Sequence, residues 1–195
     1  QVDTINKVIK NDFKTGLICH ATGTGKTVTA IHILHNYLMK NKGNIIWFCE
    51  RKNVLSDLLV KYKQYNIWKE LKKMCFVTSL LDEKSTYWSN ELKMAQFWKK
   101  PLLIFTSRQF LSSSDNYKKI KISVDLIIHD ECHSSIAPYT LSMLDFFKSK
   151  NANLKLLGLS ATPIKSDTKL RKKMLDCYND NVYSIFHIRD AIEND

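Results

Sequence analysis

Glycine and proline are scarce in this sequence, 5 and 3 among 195 residues, which leaves little room for long flexible or polyproline linkers. No two of its five cysteines form a CxxC pair; they stand at positions 19, 49, 75, 132 and 177. That spacing speaks against a zinc knuckle or a disulfide framework and leads us to expect a reducing, intracellular setting, cytoplasmic, nuclear or viral. Cys19, Cys49 and Cys75 fall in apolar runs, where a thiol packs as a small hydrophobe. No apolar run approaches the roughly 18–20 residues of a membrane-spanning helix, so no membrane partner is expected. No signal peptide is visible. Acidic residues are the minority, 19 Asp+Glu against 30 Lys+Arg, for a net charge of +11. A surplus of that sign fits a polyanionic partner, because each phosphate contact releases condensed counterions. It fits a lysine-rich, well-solvated surface equally well.

What is present is enough for one sizeable domain with a core, since 44% of the residues are hydrophobic. Short apolar runs occur at Leu17–Cys19, Ile45–Cys49, Cys75–Val77, Leu102–Phe105, Leu126–Ile128 and Leu154–Leu159, with a weaker one at Val182–Ile185. Helical patterns lie between them, at Thr27–Met39, Asn53–Tyr65, Ser89–Trp98, Ile136–Phe147 and Asp167–Cys177. Val2, Ile5, Val8 and Ile9 carry a helical spacing ahead of the first run. Strands that are apolar throughout are buried on both faces. Alternation of such strands with helices predicts a three-layer α/β fold, a mainly parallel sheet of about seven strands with helices on both sides.

His20-Ala-Thr-Gly-Thr-Gly-Lys-Thr27 follows the first run and opens a helical pattern, the setting a phosphate-binding loop requires. Gly23 and Gly25 let backbone N–H groups turn inward around phosphate oxygens, with Ala21, Thr22 and Thr24 completing the cradle. Lys26 supplies a point charge, and the Thr27 hydroxyl is placed to reach magnesium. The general motif has glycine where His20 stands. Asp130-Glu-Cys-His133 closes the run Leu126–Ile128, so its carboxylates are expected at the same crevice. Asp130 is the candidate magnesium ligand, and Glu131 the candidate base for the attacking water. A zinc-protease reading of His129 and His133 around Glu131 fails on spacing, since HDECH matches neither H-E-x-x-H nor H-x-x-E-H. Further on, Leu157-Gly-Leu-Ser-Ala-Thr-Pro163 ends another run, with Ser160 and Thr162 as small hydroxyl residues able to bridge to the acidic box.

The ordered trio ATGTGKT, DECH and SATP resembles the first RecA-like lobe of superfamily 2 DExH helicases and translocases. Within them it is most similar to the restriction-enzyme-like group that includes the type III restriction subunit. Ser160–Asp167 (SATPIKSD) is close to that group's Ser-Ala-Thr-Pro-x-Arg-x-Asp run, with Lys165 in place of arginine. The resemblance spans essentially the whole chain, read as one helicase ATP-binding domain over residues 1–195. It implies a RecA-like P-loop NTPase fold and ATP with Mg²⁺ as cofactors. It implies ATP hydrolysis coupled to movement along DNA, or in the alternative RNA. A second RecA-like lobe that completes the site is expected outside this chain, which should hydrolyse ATP barely or not at all alone. The resemblance further implies that Gln1 reads adenine, that His133, Ser160 and Thr162 couple hydrolysis to movement, and that Arg51, Thr106 and Arg108 contact the nucleic-acid backbone. A regulatory nucleotide-binding module that no longer translocates is the rival from another class; intact Lys26, Asp130 and Glu131 speak against it. Trp68, Tyr87, Trp88 and Trp98 lie in a lysine-rich stretch, a mixture that could form a partner surface or a stacking site; packing beneath surface helices is the preferred expectation.

Overall fold

A computed structural model describes residues 1–63, 65–80, 88–161 and 168–186. Seven strands form one parallel sheet: β1 (Gly16–His20), β2 (Ile45–Cys49), β3 (Phe76–Leu80), β4 (Leu102–Ser107), β5 (Leu126–Asp130), β6 (Lys155–Ser160) and β7 (Val182–Phe186). Their spatial order is β3-β4-β2-β5-β6-β1-β7. Every residue of β1, β2, β4 and β5 is buried, as expected of inner strands covered on both faces, whereas β3 and β7 at the edges are partly exposed.

Among the described residues, eight α-helices divide between the two faces. The helices α1 (Val2–Lys10), α2 (Lys26–Lys40), α3 (Lys52–Tyr62) and α4 (Asn66–Met74) cover one face. The helices α5 (Trp88–Trp98), α6 (Arg108–Ser112), α7 (Pro138–Lys150) and α8 (Thr168–Cys177) cover the other. The alternation of side chains along each strand divides the core the same way. Ile45, Trp47 and Cys49 of β2 join the α1–α4 cluster, while Ile46 and Phe48 join the α5–α8 cluster.

The helix boundaries differ from the expected ones in one instructive place. The lysine-rich stretch that holds Trp68 conceals a further helix, α4. Its apolar residues Trp68 and Leu71 are three apart, so they share a buried face, while Lys69, Lys72 and Lys73 point outward. Trp68 therefore packs as expected, but Trp98 does not: it is 58% exposed at the end of α5. Tyr87 lies outside the described residues. α7 starts at Pro138 rather than Ile136, with proline in the first turn where its missing N–H costs nothing.

Gly158 in β6 sits between β5 and β1, opposite His129 and next to Leu17. A methyl group there would approach Leu17 Cδ2 and Tyr178 Cε1 to 2.6 Å each. Both neighbours are fully buried and cannot swing away. Gly158→Ala should lower the unfolding free energy by about 1–3 kcal/mol through overpacking. A urea unfolding curve checks it; an unchanged midpoint would mean that the core has slack at this point.

Candidate nucleotide-binding site

β5, β6 and β1 are neighbours in the sheet, and their parallel register aligns their carboxyl ends. Asp130 pairs with Leu159, and Ser160 pairs with Cys19. The phosphate loop after β1, the acidic box at the end of β5 and Ser160 at the end of β6 therefore open onto one crevice. Among the sequence candidates, Lys26, Asp130 and Ser160 are brought there as buried groups. Thr162 lies outside the described residues.

The loop has the backbone its glycines permit. Gly23 and Gly25 have φ of 85° and 82°, in the left-handed region that side chains disfavour. The loop closes with the Thr24 hydroxyl donating to Ala21 O at 2.7 Å. Gly25 is the N-cap of α2 and offers no side-chain acceptor, so the first-turn N–H groups of this fifteen-residue helix face the loop. The Lys26 ammonium group reaches back to Ala21 O at 3.5 Å, and Lys26 is only 8% exposed. Thr27 follows in the first turn of α2. Gln1 lies directly on the loop: its Nε2 donates to Thr24 O at 2.8 Å, and a side chain at position 25 would collide with it. These are features of an anion cradle, and they fit a nucleotide triphosphate with its magnesium ion.

Asp130 is buried, and that burial, followed by the nearby Glu131 charge, raises its carboxyl pKa from 3.8 to about 6. The Lys26 charge and the Glu131 backbone N–H, 3.1 Å from Oδ1, work against the rise. The site thus holds a carboxylate that gains from a nearby cation, as a magnesium ligand does. Glu131 adopts φ 57°, ψ 50°, a left-handed conformation unusual for a residue with a side chain. Its carboxylate is half-buried, and Oε2 stands 3.4 Å from His133 Nδ1. His133 faces Glu131, whereas His129 lies inside the core. His129 is wholly buried, stacked on Phe48 and 3.0 Å from the Tyr178 hydroxyl, and burial lowers its pKa to about 3.

The three expected backbone-contacting residues fare differently. Arg51 is exposed at the start of α3, just past the carboxyl end of β2. Arg108 is engaged by Glu50, with its Nε donating to Oε2 at 2.7 Å and its Nη2 to Oε1. The pair ties the ends of β2 and β4 together and raises the Arg108 pKa. Thr106 is fully buried, and its hydroxyl donates to Leu80 O at 2.9 Å. It therefore braces β3 against β4 and presents no surface to a strand. Sequence reading missed Glu50, because its partner lies 58 residues away and nothing local marks the pair.

A family model described as "Type III restriction enzyme, res subunit" matches residues 1–165. The chain belongs to this family. Among curated proteins it is similar to putative helicase 22 of a Sulfolobus islandicus filamentous virus, with 29% identity over 175 residues. It is also similar to the putative ATP-dependent RNA helicase R563 of Acanthamoeba polyphaga mimivirus, with 30% identity over 162 residues. These matches cover 87% and 80% of this chain but 28% and 27% of the relatives, so the res-family chain spans about a quarter of their length. Among solved structures, the Hef helicase domain of Pyrococcus furiosus superposes with a TM-score of 0.66 at 20% identity, over 93% of this chain and 37% of that one. The seven-stranded sheet is therefore a RecA-like α/β fold, the fold of that helicase domain. Among the described residues, no helix is long and apolar enough to cross a membrane.

The raised Asp130 pKa has a consequence for stability. The folded state holds this proton more tightly than the unfolded chain, so ionisation costs stability above about pH 6, and the cost is gone below the unfolded value of 3.8. In magnesium-free buffer, Asp130→Asn should raise the unfolding free energy at pH 8 by about 1–3 kcal/mol. That gain should disappear below pH 3.8. Denaturant melts at both pH values check it; an equal gain at both would assign the effect to packing instead of charge.

Proposed function

We propose that this domain is the ATP-binding lobe of a longer ATP-dependent helicase or translocase acting on nucleic acid. The observation that supports this most is the meeting, on three adjacent strand ends, of the glycine loop with Lys26 and the two acidic residues Asp130 and Glu131. Ala21–Thr27 would hold the β- and γ-phosphates through backbone N–H groups, with Lys26 neutralising charge and Gln1 contacting the adenine. Thr27 and Asp130 would hold Mg²⁺, which supplies charge neutralisation to the phosphates when bound. Glu131 would orient the attacking water and accept its proton at a carboxylate oxygen. His133, 3.4 Å from Glu131, and Ser160 at the end of β6, with Thr162 two residues on in the sequence, would link that event to movement.

DNA is the preferred partner. The family is named for restriction enzymes, and SATPIKSD follows the restriction-type pattern more closely than other helicase groups. RNA is the second reading, favoured by the mimivirus relative's name. Arg51, exposed beside the crevice, remains the candidate backbone contact, with Arg108 next to it if Glu50 releases it. The relatives' greater length supports a second lobe elsewhere in the protein that supplies the arginines opposing the γ-phosphate.

Turnover of residues 1–195 with magnesium and ATP, with and without single-stranded DNA or RNA, tests this reading. The lobe should bind nucleotide but hydrolyse it close to background, because an opposing arginine contributes about 10³–10⁵ in rate. In the two-lobe protein, Glu131→Gln should retain nucleotide binding and lose about 10²–10⁴ in turnover. Fast, nucleic-acid-stimulated hydrolysis by the lobe alone, or near-normal turnover in the glutamine variant, would contradict it.

A further inference from the structure

The phosphate loop and Asp130 mark the carboxyl edge of the sheet. The segments that enter β2, β4 and β5 lie at the opposite, amino edge, about 17 Å away along a five-residue strand. Lys42, Lys99, Lys100 and Lys121 stand in those entry segments, all exposed. They line one groove of about 390 Å³. A second groove of about 470 Å³ shares Lys121, Ile122 and Ser123 with the first and adds Lys118 and Lys150. The two are therefore continuous. Its floor is apolar, formed by Ile120, Ile122 and Phe146. Among the described residues lining the two grooves there is no carboxylate.

Little on this edge neutralises the lysines. Lys118 pairs with Asp115 at 2.7 Å, both well exposed, a pairing that salt and competing anions readily displace. The Lys100 ammonium donates to Lys73 O at 3.3 Å, which leaves its charge intact. Lys150 lies 5.7 Å from the Phe146 ring centre. Asp125 enters β5 nearby, but its carboxylate accepts from Asn44 N at 2.8 Å and Asn151 Nδ2 at 3.0 Å.

Next to the first groove, on the last turn of α5, two large aromatic rings face solvent. Phe97 is 75% exposed and Trp98 58%, with ring centres 5.3 Å apart and planes nearly perpendicular. Their sequence neighbours Gln96 and Lys99 both line the groove. Lysine charge beside solvent-facing aromatic rings is the combination that binds single strands: phosphates meet ammonium groups while bases stack on rings. An acidic protein surface would also answer the charge, but lysines set along one continuous groove with rings beside it match the repeat of phosphate and base in a single strand.

We propose that this amino edge is a second binding surface for single-stranded nucleic acid, separate from the carboxyl edge where Arg51 stands. Lys99, Lys100, Lys121 and Lys42 contact successive phosphates, and Trp98 with Phe97 takes a base. Binding there is tolerant of sequence, since every base offers a face to stack, and it weakens steeply with salt. The surface does not require ATP hydrolysis, so it stands independently of the motor reading.

Fluorescence anisotropy with labelled oligo-dT and oligo-U of about 20 nucleotides, titrated into residues 1–195 over a range of salt, tests it. The double variant Lys99→Glu, Lys121→Glu should bind at least about tenfold more weakly. It should also flatten the slope of log K against log salt by about 1.4, as two lost phosphate contacts at about 0.7 each require. Trp98→Ala should weaken binding about fivefold or more. Tryptophan fluorescence should be quenched by the oligonucleotide in the parent chain and less so in Trp98→Phe. Similar results with oligo-dT and oligo-U support recognition by backbone and stacking; a preference for one supports the surface and shows that it reads the sugar or the thymine methyl group. Both charge-reversed and aromatic variants should bind a fluorescent ATP analogue as the parent does. Loss of that binding in the parent would strike the motor reading and leave this surface untouched. Unchanged affinity and slope in the variants overturns the proposal, as does absence of binding to the parent. A Trp98→Ala variant that alters only sedimentation would overturn it too, by making this edge a contact between protein copies.

Discussion

Burial of the inner strands on both faces is the constraint from which the rest follows. A strand with no solvent-facing side must be apolar throughout, must be covered by helices, and in this order must run parallel to its neighbours. Parallel register then brings every strand's carboxyl end to one edge. The loop after β1 and the acidic residues after β5 meet there although most of the chain separates them in sequence. Asp130 is the point at which the apolar strand meets the chemistry. Its carboxylate is buried by the packing that makes β5 a strand, and its proton affinity rises because that burial, and then the neighbouring Glu131 charge, disfavour the ionised form.

The two edges of the sheet have different physical characters. At the carboxyl edge, polar groups are fixed by backbone geometry. Left-handed glycines shape the loop, Glu131 is held in a left-handed turn, and the Arg108–Glu50 pair clamps two strand ends. At the amino edge, charge is mobile and largely unneutralised, carried by lysines in short entry segments. Fixed dipoles suit a small, defined anion such as a triphosphate. Flexible lysines suit a long polyanion that need not sit in one register.

Most of the architecture was legible in the sequence because it rests on local pattern. All seven strands begin within two residues of the apolar runs that mark them, and the phosphate loop needed only glycine spacing and its place after β1. What escaped depends on contacts between distant residues or on charge masking periodicity. α4 was concealed by its lysines, with only Trp68 and Leu71 to betray a buried face. The burial of Thr106 followed from its hydroxyl reaching Leu80 O on the adjacent strand, a pairing no spacing within β4 reveals. Trp98 looked like core because large aromatics usually are, and its exposure is set by which side of α5 meets the sheet.

In the proposed reading, one crevice at the carboxyl ends of β1, β5 and β6 holds nucleotide. A crystal structure of residues 1–195 grown with magnesium and a non-hydrolysable ATP analogue tests it most directly. Phosphate oxygens should lie within hydrogen-bonding distance of the Gly25, Lys26 and Thr27 amides, with a magnesium ion held by the Thr27 hydroxyl and the Asp130 carboxylate. A triphosphate bound elsewhere on the domain, or an analogue absent from this loop at saturating concentration, would contradict it.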